Sequence, residues 1–161
     1  MASIGGAGFA LRAMGLFIPL VPPLGVDPGN AIIYFCPYAG GWLVGLLCGL
    51  LRGFPSGVPL ASVPCELTQM TMLYVVWERA RFWSSRPRWL VIALWPIVAD
   101  FAGTTVFAAV SVWLGIVPAF IPYWPFAPGI TSLTRGIVVG IMGLFVAKVN
   151  PSFMRIPRAK P

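Results

Sequence analysis

Between Arg88 and Arg135 the chain carries a single charged residue, Asp100. A stretch this long with one charge limits the possible folds more than any other feature. Across the 161 residues, 58% are hydrophobic and only 9% are charged. A soluble domain of this size keeps too much surface in water to hide so much apolar material. Runs such as Ala31–Leu51 and Phe101–Pro118 contain no charge. They are about as long as a helix needs to cross a ~30 Å hydrocarbon layer. The expectation is an all-α fold, a polytopic membrane helix bundle, forming one integral membrane domain over residues 1–161. It implies a multi-pass protein of the cell membrane. An ionisable residue in mid-span is costly in lipid, which makes Asp100 a functional lead.

Composition excludes several chemistries. There is no histidine, so His-ligated haem, His-based zinc sites and Ser-His-Asp catalysis are absent from this sequence. Cys36, Cys48 and Cys65 form no CxxC pair and read as small packing residues rather than a metal or redox site. No cofactor is expected. The net charge of +7 comes from arginines that flank apolar segments, a sign of membrane orientation and not of nucleic-acid binding. The seventeen prolines and eighteen glycines lie in apolar sequence, where membrane helices tolerate breaks and close contacts.

The first expected helix is Ser3–Leu20, with Ala2, Gly6 and Ala10 forming a small-xxx-small stripe that lets another helix come close. Val21–Gly29 is an irregular loop. Asn30–Arg52 follows, with Asn30 able to cap its start. Gly40, Gly41, Gly45, Gly49 and Gly53 recur near every fourth residue. Pro37 and Gly40-Gly41 allow this segment to be one span or two short helices, about 30–38 and 41–53. Phe54–Ser62 is a loop and Val63–Phe82 a helix with Pro64 in its first turn. Arg79–Arg88 is a basic loop, Trp89–Gly115 a long helix, and Pro118–Gly129 an aromatic loop with Tyr123, Trp124 and Phe126. Ile130–Lys148 is the last helix, before a basic tail with Arg155, Arg158 and Lys160. The fold has six helices, or five if Asn30–Arg52 is one span.

The basic loop and the basic tail both mark the cytoplasmic side, which puts the C-terminus there. A helix rises about 1.5 Å per residue. Counted from Arg79, Arg88 and Lys148, residues Glu66, Asp100 and Arg135 lie at about 20, 18 and 20 Å depth. Three ionisable residues on three helices thus share one level in the outer half of the membrane. Gln69 falls nearby, and Trp95 is among the tryptophans able to supply a flat apolar wall. Glu66, Gln69, Asp100, Arg135 and Trp95 are therefore the candidate substrate-binding residues. A structural ion-pair network that sets helix register would use the same charges.

The stretch Leu20–Gly53 reads LVPPLGVDPGNAIIYFCPYAGGWLVGLLCGLLRG. A proline-rich loop, a short apolar helix, a glycine break and a Gly-xxx-Gly helix follow in that order. This layout resembles the substrate-binding (S) subunit of energy-coupling factor (ECF) vitamin transporters. Chain size, a six-helix plan, a small-residue first helix and a basic C-terminus are similar as well. Gly40-Gly41-Trp42-Leu43-Val44-Gly45 stands where that family has Gly-Pro-xx-Gly, without the proline. The resemblance implies a membrane-embedded capture subunit, not an enzyme, that binds a small vitamin-like molecule from outside. It implies docking through Ala2, Gly6 and Ala10 on a membrane coupling subunit driven by ATPase subunits, with membrane lipids around it. No GxxxxGK[ST] phosphate loop occurs, in keeping with a passive role. The alternative is a small accessory or assembly subunit of a larger membrane complex with no ligand of its own. A membrane enzyme using Glu66 and Asp100 as acid and base is a more distant reading.

Overall fold

The structure is a computed structural model that describes residues 10, 18–21, 24–26, 28–116 and 129–156. It is helical apart from one short antiparallel ladder, β1 (Ile18–Val21) with β2 (Leu24–Val26). The ladder pairs Ile18 with Val26 and Val21 with Leu24, and its register breaks between Pro19 and Val21. Proline has no N–H to give a ladder and is accommodated at an edge. Residues 18–20 of the expected helix Ser3–Leu20 are therefore strand, and the rest of it apart from Ala10, Gly6 included, lies outside the described residues, as does Ala2. Ala10 is helical and exposed.

Prolines place the next breaks. Helix α1 is Pro28–Ile33 and α2 is Phe35–Gly40. Pro37 cannot donate to the Ile33 carbonyl, and its ring crowds that oxygen, so the helix is interrupted at Tyr34. The start at Pro28 leaves Asn30 inside the first turn rather than capping it, because proline suits the first helical position. Gly41 then reverses the chain with φ 84°, a region open to glycine at little cost. Helix α3, Trp42–Gly53, returns antiparallel. Asn30–Arg52 is thus a broken hairpin, as the two-helix reading expects.

Helix α4 is Pro59–Ala80, α5 is Ser85–Trp113 and α6 is Thr131–Val149. Two starts fall about four residues before their expected positions. Pro59 and Pro87 read as loop residues, yet proline is tolerated in a first turn, where the N–H has no partner to lose. Pro64 consequently lies inside α4, and the basic loop shrinks to residues 81–84. The expected aromatic loop, with Tyr123, Trp124 and Phe126, lies outside the described residues, as do Arg158 and Lys160. Two helices are long and apolar enough to cross a membrane: Arg86–Trp113, within α5, and α6.

Glycines let the helices touch. On α6, a Cβ at Gly136 would press on the Ile97 backbone, and one at Gly140 would meet the Ala93 carbonyl. On α3, Gly45 faces Pro37, Gly49 faces Glu66 and Met70, and Gly53 faces Val63. The ladder on α3 is therefore buried within the chain's own hairpin and against α4. The apolar core gathers Phe35, Tyr38, Leu73, Trp77, Ile92 and Met154, with Tyr38 and Trp77 edge to face at 5.1 Å.

The surface is inverted relative to a water-soluble bundle. Leu43, Leu47 and Leu51 on α3, Leu90, Leu94 and Val98 on α5, and Leu133, Ile137, Ile141, Phe145 and Val149 on α6 all face outward. Each set repeats every fourth residue and forms a continuous apolar stripe. Arg52, Glu66, Gln69, Asp100, Thr104, Ser111 and Ser132 are buried instead. Exposed Arg79, Arg86 and Lys148 mark one end of the bundle, called here the basic end.

Candidate functional site

The buried charges meet in one layer. Asp100, fully buried on α5, is approached from three other elements. The Tyr34 hydroxyl, at the α1–α2 interruption, donates to its Oδ1. The Gln69 amide of α4 donates to the same oxygen at 3.0 Å. Arg135 of α6 brings Nη2 to 3.4 Å from Oδ2. An ionised carboxylate only accepts, so this set of donors suits it. A second ion pair joins Arg52 of α3 to Glu66 of α4, with the two side chains 2% and 4% exposed. Glu66 and Gln69 are one turn apart on α4, one bonded to Arg52 and the other to Asp100, so the two pairs form one neighbourhood.

Hydroxyls extend the layer away from the basic end. Thr104 donates to the Asp100 carbonyl at 2.7 Å and meets Ser132 Oγ at 2.9 Å. With its proton so committed, Thr104 accepts from Ser132. Further along, Ser111 lies on the same buried side of α5, and Thr131 stands one turn above Arg135. Gln69 Oε1, Ser111 Oγ and Thr131 Oγ1 have no hydrogen-bond partner among the described residues. A buried polar atom left without a partner costs about 1–3 kcal/mol. Gln69 turns its nitrogen to Asp100, and its carbonyl oxygen is thereby left for another donor.

Of the five expected site residues, four converge: Glu66, Gln69, Asp100 and Arg135. Trp95 stands apart. Its indole N–H donates to the Met72 carbonyl at 2.8 Å, about 7 Å nearer the basic end along α5. It braces α4 against α5, because a half-buried indole needs an acceptor for its N–H. Helix counting already puts Trp95 that far from Asp100; its place among the candidates came from its flat apolar ring and not from its depth.

Tyr34 and Arg52 complete the layer without having been expected there. A signal existed for Arg52. It and Glu66 are equidistant from Pro59, the first residue of α4, so an antiparallel turn there sets them level. Tyr34 carried no comparable spacing. The three cysteines are free and buried, and no group of metal-binding side chains occurs among the described residues.

The basic end has its own polar contacts. After α6 the chain turns through residues 150–156. Arg155, at φ 54°, donates from Nε to the Tyr38 carbonyl at 2.8 Å and from Nη2 to the Pro37 carbonyl at 3.1 Å. The same Nη2 stands 3.3 Å from Glu78. Trp77 donates to the Met154 carbonyl at 3.2 Å. The basic tail is thus packed against the end of α2 as far as Ile156.

Compared with known protein families, curated proteins and solved structures, the chain matches none of them.

Proposed function

We propose that this chain is a multi-pass membrane protein that captures a small molecule from outside in its buried charged layer. It does so as the substrate-binding subunit of an ECF-type importer. The observation that carries the proposal is the layer itself. Four charges from four helices meet, three of them buried, and beside them Gln69 Oε1 has no hydrogen-bond partner among the described residues. Charges buried in lipid are characteristic of ligand and ion sites. The inverted surface supports a bilayer as the surrounding solvent.

In this reading the basic end is cytoplasmic. The arms of the Pro28–Gly53 hairpin are about 18–20 Å long each, short of a ~30 Å hydrocarbon core. They enter from the outer side, turn at Gly41 near the basic end, and return. Broken helices of this kind are tolerated at membrane depth where they are buried in protein. With Ser3–Leu20 as a further span, the plan has six helices. The Ala2, Gly6 and Ala10 stripe would then dock on a coupling subunit driven by ATPases. The ligand would be a vitamin-like molecule with an N–H or O–H group to reach Gln69 Oε1.

A second reading has specific support. Asp100 pairs with Arg135 and Arg52 pairs with Glu66, an arrangement that also suits a register-setting network in a small accessory subunit without a ligand. Native mass spectrometry of the full chain, released from detergent, separates the two. Capture is supported by a small molecule retained by the wild type and lost from Gln69→Leu while that variant still elutes as a folded, monodisperse species. A wild type that carries nothing, and melts far lower outside a membrane complex than within it, favours the accessory reading.

A further inference from the structure

The two arms of the broken hairpin each deliver one side chain to the charged layer. Tyr34, at the head of α2, reaches Asp100, and Arg52, at the foot of α3, reaches Glu66. The arms meet at Gly41, whose φ of 84° makes it the natural pivot. Nothing in the layer touches that turn. What does touch it is Arg155: its side chain donates to the Pro37 and Tyr38 carbonyls, and a Cβ on Gly41 would stand 3.7 Å from its Nη1. These carbonyls belong to the last turn of α2, where the helix dipole favours a cation; that of Pro37 also accepts the Gly41 N–H at 3.1 Å, so the guanidinium and the pivot share one acceptor. Glu78 holds the guanidinium from the α4 side, and the Trp77–Met154 bond holds the tail.

We infer that Arg155 is a positioning residue for the charged layer: it clamps the Gly41 pivot so that the two arms present Tyr34 and Arg52 at fixed positions. A side chain at the basic end thereby sets the geometry of a site in the opposite half of the bundle. The inference rests on the contacts of the hairpin and not on the capture reading, and it stands whether the layer holds a ligand or only fixes register.

The arms carry their own reporters. Cys36 lies two residues from Tyr34, and Cys48 lies one turn from Arg52 on the same face; both are buried. In full-length Cys65→Ser protein in nanodiscs, the rate of maleimide labelling at these two thiols measures how often the arms open. Arg155→Ala should raise both rates by about tenfold or more, because it removes two charge-assisted hydrogen bonds and one alone is worth about that factor. Arg155→Lys, which keeps a cationic donor, should restore most of the protection and remains informative if the alanine variant does not fold. Gly136→Ala, which disturbs the α5–α6 contact instead, supplies a variant with lowered melting temperature and an intact clamp. It should leave the labelling rates near wild type. Unchanged rates in Arg155→Ala overturn the inference. So do rates in Gly136→Ala that rise as far as those in Arg155→Ala, since the effect would then be a general loosening of the fold.

Discussion

Arg52 and Glu66 form an ion pair that is almost wholly buried between α3 and α4. Removing one partner of such a pair leaves the other charge in low dielectric, at a cost of about 3–5 kcal/mol. Arg52→Leu and Glu66→Leu should therefore each lower stability by that order. The double variant should recover a large part of the loss, because both charges leave together. Denaturant or thermal melts of all three variants in one detergent provide the check. A double variant as unstable as the sum of the singles shows that the two side chains are not coupled.

Asp100 should tell charge apart from shape. Asp100→Asn keeps an acceptor for Tyr34 and an amide close to Gln69, whereas Asp100→Ala leaves both donors and Arg135 facing an apolar methyl. The alanine variant should melt lower than the asparagine variant. Tyr34→Phe removes one donor to a charged group and should cost about 1.5–3 kcal/mol. If Asp100→Ala and Asp100→Asn melt together at the wild-type temperature, the carboxylate does not hold the layer.

The level of the charges was legible from sequence because helical rise is constant. Counting from Arg88 and Lys148 put Asp100 and Arg135 at one depth, and they pair. Helix ends were less legible where proline stands in a first turn. Pro28, Pro59 and Pro87 look like loop residues by composition, yet each lies in the opening turn of a helix. The Gly40-Gly41 pair marked where a break would fall, but the sequence did not choose between a break and one continuous span. Arg155 was not legible, since its partners on α2 are more than a hundred residues away and a basic tail usually lies in solvent.

Contact between α5 and α6 depends on having no side chain at two points. Gly136→Leu and Gly140→Leu would drive the helices apart at Ile97 and Ala93, and both should lose the monodisperse species in size-exclusion chromatography. Gly57→Ala has open space around it and should elute as wild type. A wild-type profile for Gly140→Leu would show that α5 and α6 do not pack through this face.

Sidedness can be read with single cysteines, because the native thiols are buried and give little background once replaced. Cysteine at Ser84 or Ser152, near the basic end, should resist a membrane-impermeant maleimide applied to intact cells and react after permeabilisation. Cysteine at Ser56, in the turn between α3 and α4, should react without permeabilisation. Labelling of Ser84→Cys from outside would invert the orientation and with it the outward opening of the layer.

The partners of the clamp lie far apart in the chain: Tyr38 and Arg155 are separated by 117 positions. A ribosome makes the broken hairpin early and its fastener late, with α4, α5 and α6 in between. Until the residues after α6 emerge, the carbonyls at the end of α2 have no guanidinium to bind. Non-local contacts of this kind form slowly, because the intervening chain must be ordered first. Maturation of the charged layer is thereby tied to completion of the bundle, and a ribosome stalled before Arg155 would display all four charges with the pivot still free to swing.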